Sequence, residues 1–296
     1  IRVRRFDSGL SLHNKMKVGI VGYGFVGSAL KRGITRNAEL LCIDPKLNTQ
    51  VSDLEEYRPD IIFICVPTPM SNDFEQDISI VKDVFKEINE LQTQSLIVLK
   101  STVTPDNLVK LKNIINDFIY NPEFLREKHA DSDFINSPLI IFGGNEKNSK
   151  ALEDFYKNFT NCKCTNYFYT DPITASFVKY TINSFLATKV IFFNELKTLF
   201  SKSGSEDDWE KFIKIISQDP RIGDSHMQVP GHDGRFGFGG ACLPKDANAF
   251  INYSDSKNVN LNLLKTTINT NNKIRATYNK KTSREIEQNI DFGGEK

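Results

Sequence analysis

The chain has 296 residues, more than the usual size of about 100–200 residues for one domain, so we expect two domains. Hydrophobic residues make up 39% and charged residues 25%, a composition that can bury a core and that excludes a disordered chain. The formal net charge of +1 gives no long-range field that would attract nucleic acid or an anionic membrane.

Hydropathy and cysteine usage exclude two further classes of protein. The longest strongly apolar run, 61–66, is far shorter than the roughly 20 residues that span a bilayer. The five cysteines are scattered and odd in number, which does not indicate a disulfide-stabilised secreted domain, so we expect a cytoplasmic protein. Residues 1–15 lack the apolar core of a secretory signal, and we expect a non-native or disordered extension before a native start at Met16.

The first half of the chain alternates predicted strands with predicted helices. The predicted strands are 17–21, 39–44, 60–66, 95–100, 118–120 and 139–142, and helices are predicted from Phe25 and over about 78–91. Continuous apolar strands are typical of a parallel sheet that helices cover on both faces. The sequence therefore predicts a Rossmann-type, doubly wound α/β domain over residues 16–170.

The second half is predicted to be helical. Apolar residues recur at steps of three to four from Val178 to Phe200, which predicts one long amphipathic helix. A shorter helix is predicted near 209–217, a loop rich in Gly and Pro over 219–241, and a long helix over about 261–289. We therefore expect residues 171–296 to form an all-helical domain.

A glycine-rich turn follows the first predicted strand. Gly22, Gly24 and Gly27 form G-x-G-x-x-G at the start of a helix, where bare backbone and helix amides can bind a pyrophosphate. Asp44 closes the next strand, at about the spacing from which an acidic residue binds the adenosine ribose. A carboxylate there repels a 2′-phosphate, so the pattern favours NAD, although Lys46 and Arg36 lie close enough in sequence to leave NADP open.

The run from Gly237 to Asp246 carries the strongest chemical signal. Cys242 precedes Pro244, which suits the first turn of a helix, and a helix start and Lys245 both favour a thiolate, whereas Asp246 opposes it. A lone cysteine is more often an inert core residue. The glycines at 237, 239 and 240 leave the backbone open around the sulfur, as a bound substrate requires. We therefore predict that Cys242 is a catalytic nucleophile in an NAD-dependent oxidoreductase, with no metal site.

Besides the glycine turn, the chain carries the ordered segments Val66–Pro69, Ser101–Val103, Asn121–Glu127, Lys179 with Asn183, Arg221–Gly223 and Gly237–Asp246. Together these segments resemble the UDP-glucose/GDP-mannose 6-dehydrogenase family, and the sequence Cys-Leu-Pro-Lys-Asp resembles its UDP-glucose branch. The resemblance implies oxidation of a sugar alcohol to a carboxylate by two hydride transfers to NAD. Cys242 would attack the intermediate aldehyde, and the thiohemiacetal would become a thioester that water hydrolyses.

The resemblance also implies roles for other residues. Lys179 and Asn183 would stabilise an oxyanion, and Asp246 would hold a water or relay a proton. Glu123 or Glu127 would activate the hydrolytic water, and Thr102 would position the nicotinamide or a water. The implied cofactor-binding residues are Gly22, Gly24, Phe25, Val26, Gly27, Asp44, Val66, Pro67, Thr68, Thr102 and Lys245. The implied substrate-binding residues are Phe124, Leu125, Lys179, Asn183, Arg221, Phe238, Gly239 and Gly240.

The resemblance further implies a homodimer built on the long helix, in which Arg221 can be donated to the partner subunit. Family members generally carry a third domain that binds the nucleotide end of the substrate, and we expect this chain to end before it. The loop 70–77 lacks the glycine that the family commonly has there. Two alternatives remain: a two-electron hydroxyacid-type dehydrogenase, which needs no cysteine, and a non-catalytic NAD-binding paralogue.

Overall fold

A computed structural model describes residues 15–71 and 75–293 of the chain. The described residues divide into two compact units, the first formed by 15–68 with 77–179 and the second by 69–71 and 75–76 with 180–293. The first is a Rossmann-type α/β unit and the second is helical, which confirms the predicted fold class. The predicted extension at 1–15 lies outside the described residues, except for Lys15.

The first unit is built on a seven-stranded sheet in the order β2-β1-β3-β4-β5-β6-β7. The strands are β1 Met16–Val21, β2 Ala38–Ile43, β3 Ile61–Ile64, β4 Leu96–Leu99, β5 Ile119–Tyr120, β6 Ile140–Gly143 and β7 Tyr167–Thr170. The first five strands are parallel, whereas β6 pairs antiparallel with β5 and parallel with β7. The carboxyl ends of β1 to β5 therefore share one edge of the sheet.

Helices cover both faces of this sheet. They are α1 Phe25–Gly33, α2 Asp53–Tyr57, α3 Ser79–Glu90, α4 Pro105–Lys112, α5 Ala130–Ile135 and α6 Glu146–Phe159. The strands β3 and β4 are buried along their whole length because each of their faces packs on a separate apolar cluster. One cluster includes Phe85 and Leu108, and the other includes Leu30 and Phe155. This double burial explains why the strands read as continuous apolar runs.

The second unit is helical. Its helices are the greater part of α7 Pro172–Phe200, which begins in the first unit, then α8 Trp209–Ile216, α9 Cys242–Ser256, α10 Asn262–Arg275 and α11 Ser283–Glu287. The helices α7, α9 and α10 pack around an apolar cluster that includes Ala187, Ile251 and Ile268. The segment 69–76 belongs to this unit because Met70 packs against Ile290 and Phe292. No helix within 15–71 and 75–293 is long and apolar enough to cross a membrane.

The prediction of one long helix over 261–289 was wrong. The helix α10 ends at Arg275, and α11 starts afresh at Ser283. The reason is a capping box, in which the Thr282 hydroxyl accepts a hydrogen bond from the Glu285 amide and the Glu285 carboxylate accepts one from the Thr282 amide. These bonds satisfy amide donors at a helix start, so they favour a new helix there over continuation of the old one.

Candidate active site

The predicted cofactor-binding residues of the first unit lie at the carboxyl ends of its parallel strands. The glycine turn follows β1, Asp44 follows β2, the segment 65–68 follows β3, and 100–102 follows β4. The strand β2 lies on one side of β1, whereas β3 and β4 lie on the other side, so the winding direction of the sheet reverses next to β1. These residues follow the strands on both sides of that point. In doubly wound sheets this is the position at which nucleotides bind.

The glycine turn has the geometry that a dinucleotide site requires. Gly22 has φ +93°, and a Cβ there would lie 2.7 Å from the Cys65 backbone. A Cβ on Gly27 would lie 2.1 Å from the Gly22 carbonyl oxygen, so only glycine allows α1 to pack this close to the turn. Gly24 is exposed at the start of α1 with open space around it. The turn therefore offers bare backbone and helix amides to a pyrophosphate.

Asp44 is fixed beside this turn. Its Oδ2 atom accepts a hydrogen bond from the Tyr23 amide at 2.8 Å, and its Oδ1 atom accepts one from the Lys46 amide at 2.9 Å. A carboxylate has about four acceptor positions, so capacity for ribose hydroxyls remains. Because Asp44 is only partly buried, ligand can reach it. The residues present at the glycine turn and Asp44 thus fit NAD.

Hydrogen bonds join the segments after β3 and β4. The Ser101 hydroxyl donates to the Val66 carbonyl oxygen at 2.6 Å, and the Thr68 hydroxyl donates to the Thr102 carbonyl oxygen at 3.0 Å. Val66 and Thr68 are buried, whereas Pro67 is exposed. The predicted cofactor-binding residues 66–68 and Thr102 therefore lie on two segments that these hydrogen bonds join.

Glu123 and Lys179 form a buried pair in the first unit. The Lys179 Nζ atom donates to the Glu123 carbonyl oxygen at 2.6 Å and lies 3.5 Å from its Oε1 atom. The same ammonium lies 5.2 Å from the centre of the Phe124 ring. Both charged side chains are more than nine-tenths buried. The Lys179 ammonium of α7 thus lies against the loop that follows β5.

A second buried lysine, Lys100, supports this loop, and the sequence analysis missed it. Its Nζ atom donates to the carbonyl oxygen and the Oδ1 atom of Asn121 and to the Tyr156 hydroxyl, at 3.1–3.3 Å. Burial lowers the pKa of Lys100. The sequence did contain a signal for this role, since Lys100 directly follows the apolar strand β4. A charge in that position must find partners inside the protein.

The predicted nucleophile occupies the first position of a helix in the second unit. Cys242 is the first residue of α9, with Ala241 as its N-cap, and the thiol is partly buried. The first turn of α9 itself carries no acidic residue, and the positive end of the helix dipole lies at this position. Helix amides in this position favour the thiolate form of a cysteine.

Asp246, one turn after Cys242, is buried, and each of its carboxylate oxygens has a partner. Its Oδ1 atom lies 2.6 Å from the Lys245 Nζ atom, and its Oδ2 atom accepts a hydrogen bond from the Asn183 side chain at 2.5 Å. The ion pair explains how the adjacent charges coexist in the interior, since a buried ion pair requires close geometry and further hydrogen bonds. Lys245 is therefore a partner of Asp246 in this structure, and its charge is compensated.

Two of the charged residues among the predicted site residues are exposed. Glu127 lies on the surface at the start of a 3-10 turn, 127–129, so it differs sharply from the buried Glu123. The Arg221 side chain is 87% exposed, and its guanidinium forms hydrogen bonds with the carboxylate of Asp219. Within the first unit, Glu123 is thus the carboxylate that the fold brings to Lys179.

Two family models match the chain in succession. The NAD-binding domain of the UDP-glucose/GDP-mannose dehydrogenase family matches residues 46–160, and the central domain of the same family matches residues 173–273. The first match runs from just after β2 to just after α6, and the second runs from the start of α7 into α10.

Individual relatives agree with this assignment. A UDP-glucose 6-dehydrogenase of Rickettsia felis is 34% identical over 75% of this chain and 50% of its own length, and the UDP-glucose 6-dehydrogenase YwqF of Bacillus subtilis is 31% identical over 79% and 53%. The chain thus spans about half the length of the curated relatives it matches.

Solved structures share the fold. A UDP-glucose dehydrogenase of Pyrobaculum islandicum superposes with a TM-score of 0.73 at 24% identity, over 87% of this chain and 68% of that one. A 3-hydroxyisobutyrate dehydrogenase of Mycobacterium tuberculosis superposes with a TM-score of 0.66 at 14% identity, over 94% and 97%. With its two domain matches in order, the chain belongs to the UDP-glucose/GDP-mannose dehydrogenase family, and its first unit is that family's NAD-binding domain.

Proposed function

We propose that the protein oxidises the C6 alcohol of a nucleotide sugar to the uronate, with UDP-glucose as substrate and NAD as oxidant. The family assignment and the relatives named UDP-glucose 6-dehydrogenase support this reaction. The observation that carries it is Cys242 at the first position of α9, one turn before a buried carboxylate that Asn183 holds. A two-electron dehydrogenase has no use for a thiol in that position.

The proposed oxidation proceeds in two stages of two electrons each. NAD, when bound, supplies the hydride acceptor for both stages. In the first, the sugar alcohol loses a hydride and a proton and becomes an aldehyde. Lys179 and Asn183 lie one turn apart on α7, so an ammonium and an amide can together stabilise an oxyanion on the reacting oxygen.

Cys242 then makes the second stage possible. Its thiolate sulfur adds to the aldehyde carbon, and the oxygen takes up a proton to give a thiohemiacetal. Loss of a hydride from carbon and of the hydroxyl proton leaves a thioester. Water loses one proton to a base as its oxygen adds to the thioester carbon, the carbon–sulfur bond breaks, and the products are the carboxylate, the regenerated thiolate and a second released proton.

The hydrolytic water needs a base, and Glu123 suits this role better than Glu127. The Glu123 carboxylate is buried beside the Lys179 ammonium, whereas Glu127 is exposed to solvent. A base in a water-poor setting can direct one bound water, while an exposed carboxylate is solvated. Asp246, fixed by Asn183 and Lys245, would relay the proton of the first stage.

Replacement of the thiol tests the proposed mechanism. We expect Cys242→Ala to make no uronate from UDP-glucose while binding NAD as tightly as the unmodified chain. Cys162→Ala, which changes a partly buried thiol of the first unit, serves as the matched control and keeps uronate formation. Undiminished uronate output from Cys242→Ala would overturn the covalent mechanism.

We also propose that the protein acts as a homodimer in a reducing cytoplasm. Three large apolar side chains at steps of seven on α7 are exposed in the single chain, namely Phe185 at 64%, Phe192 at 57% and Leu199 at 66%. Steps of seven place them on one stripe of the helix, and exposed stripes of this kind favour association. A reducing compartment would keep the scattered cysteines as thiols.

A further inference from the structure

Side chains hold the loop that leads to Cys242. The Gly237 amide donates to the Asn194 Oδ1 atom at 2.8 Å, and the Gly240 amide donates to the Glu285 Oε1 atom at 3.3 Å. Between them, Asn271 bonds Phe238 twice, accepting from its amide at 2.6 Å and donating to its carbonyl oxygen at 3.0 Å. The loop thus takes its conformation from the helices α7, α10 and α11.

The groups that hold the loop are themselves fixed in the interior. Asn271, Arg275 and Glu285 are almost completely buried. Arg275 donates to the Glu285 Oε1 atom and to the Asp233 Oδ2 atom, both at 2.8 Å. The other Glu285 oxygen accepts from the Thr282 amide in the capping box. Removing one member therefore leaves a buried polar group of another without its partner.

The glycines of the loop fit this arrangement. Gly237 has φ +73°, and a Cβ there would lie 2.6 Å from the Asn271 Oδ1 atom. A Cβ on Gly239 would lie 2.1 Å from the Arg275 Nη2 atom and 2.4 Å from the Glu285 Oε1 atom. Gly240 has φ +75° with open space around it, so its backbone conformation alone requires glycine. Two of the three glycines thus make room for the supporting side chains.

We propose that Asn194, Asn271 and the Arg275–Glu285 pair are positioning residues that set the backbone on the approach to Cys242. We name these four residues the glycine-loop clamp. Arg275 and Glu285 lie beyond residue 273, where the match to the family's central domain ends. Residues after that match therefore help to hold the loop that precedes Cys242. The catalytic consequence rests on the proposed function, whereas the effect on loop structure does not.

The clamp acts on Cys242 through a short stretch of backbone. Gly240, the last held residue, is separated from Cys242 by Ala241 alone. Release of the Gly240 and Phe238 amides would let the start of α9 and its thiol shift. Because covalent catalysis needs the nucleophile aligned to within about 1 Å, such a shift lowers kcat more than it changes substrate binding.

Hydrogen–deuterium exchange of the 236–241 peptide tests the clamp without any activity assay. We expect slow exchange in the unmodified chain and exchange about tenfold faster in Asn271→Ala and in Glu285→Ala, since each loses bonds to loop amides. Asn272→Ala, the neighbouring and less buried asparagine on α10, is the matched control and leaves exchange unchanged. If Glu285→Ala fails to fold, Asn271→Ala, which removes a neutral group, carries the test.

Kinetics then separate positioning from a general loss of structure. We expect kcat for uronate formation to fall about tenfold or more in both variants, with KM for the sugar nucleotide within about threefold. Glu285→Gln keeps an acceptor for the Gly240 amide and for Arg275 but loses the acceptor for the Thr282 amide, so its kcat should lie between those of Glu285→Ala and the unmodified chain. A rise in KM with kcat unchanged would overturn the positioning role.

The two proposals fail in different ways. Unaltered exchange of the 236–241 peptide in Asn271→Ala, or a loop that exchanges freely in the unmodified chain, would overturn the clamp. An unmodified chain that oxidises no sugar nucleotide would overturn the proposed function, while the exchange experiment would still decide whether the clamp exists.

Discussion

The Asn183 side-chain amide donates a hydrogen bond to the Oδ2 atom of Asp246 at 2.5 Å, which ties α7 to α9 within the helical unit. The other oxygen of Asp246 binds the Lys245 ammonium. Because all three side chains are more than nine-tenths buried, none of them can exchange its partner for water without cost. The start of α9, where Cys242 lies, is thus fixed from two sides, by this cluster and by the glycine-loop clamp.

Removing the carboxylate of Asp246 should destabilise the fold strongly. Asp246→Ala leaves the Lys245 ammonium buried without its counter-ion, and loss of one member of a buried pair costs about 3–5 kcal/mol. Urea unfolding followed by circular dichroism measures the change. Asp255→Ala, which breaks the partly exposed pair between this α9 residue and Lys265 of α10, is the control and should cost less than about 1 kcal/mol. Equal losses in the two variants would contradict the buried role of Asp246.

Lys100 should make stability depend on pH in a defined direction. Burial lowers the pKa of Lys100 below 10.5, so the folded chain releases this proton at a lower pH than the unfolded chain. The unfolded state then binds more protons between the lowered pKa and 10.5, and stability rises with pH in that window.

A methionine at position 100 removes that titration. The free energy of unfolding of the unmodified chain, measured relative to that of Lys100→Met, should therefore increase as pH rises from neutral towards 10.5. Parallel urea titrations at several pH values give this difference. A difference that stays constant or decreases would show that the buried ammonium is not penalised as the structure indicates.

Asp44 should determine the choice of cofactor. Asp44→Asn keeps an oxygen that can accept from the Tyr23 amide but loses the charge that repels a 2′-phosphate. We expect the ratio of kcat/KM with NAD to kcat/KM with NADP to fall about tenfold or more, the scale of a hydrogen bond to a charged group. Asp53→Asn, at the partly exposed start of α2, is the control. An unchanged ratio would remove Asp44 from the cofactor site.

The exposed stripe of α7 should determine the oligomeric state. Phe192→Asp places a charge within the stripe, and loss of one buried phenylalanine from each partner should weaken a dimer about 100-fold or more. Light scattering at micromolar concentration measures the mass. Ile286→Asp, an equally exposed apolar residue on α11, is the control and keeps the dimer. An unmodified chain that is monomeric at that concentration would refute the proposal.

The fold class was predictable because each of its signals is local. Continuous apolar runs such as 61–64 identify strands buried on both faces, and the spacing of Gly22, Gly24 and Gly27 identifies a turn that closes on a helix. The start of α9 was predictable for the same reason, since Pro244 suits only the first turn of a helix.

What the sequence analysis missed depends on partners distant in the chain. The bonds of Asn271 to Phe238 and of Glu285 to Gly240 join residues more than 30 positions apart, and no local pattern encodes them. Similarly, Phe185 belongs to the apolar pattern of α7 yet is exposed, while the polar Asn183 and Ser184 are buried. The capping box at Thr282 is a local signal, however. The pattern T-x-x-E at 282–285 predicts that a new helix starts there, and hence that α10 ends before Thr282.

The number of NADH molecules formed per sugar consumed tests the central claim most directly. A purified chain supplied with UDP-glucose and excess NAD should form two NADH for each sugar oxidised, since the Cys242 thiohemiacetal carries the second oxidation. One NADH per sugar, with an aldehyde or ketone as the final product, would contradict the account and assign the chain to two-electron dehydrogenases.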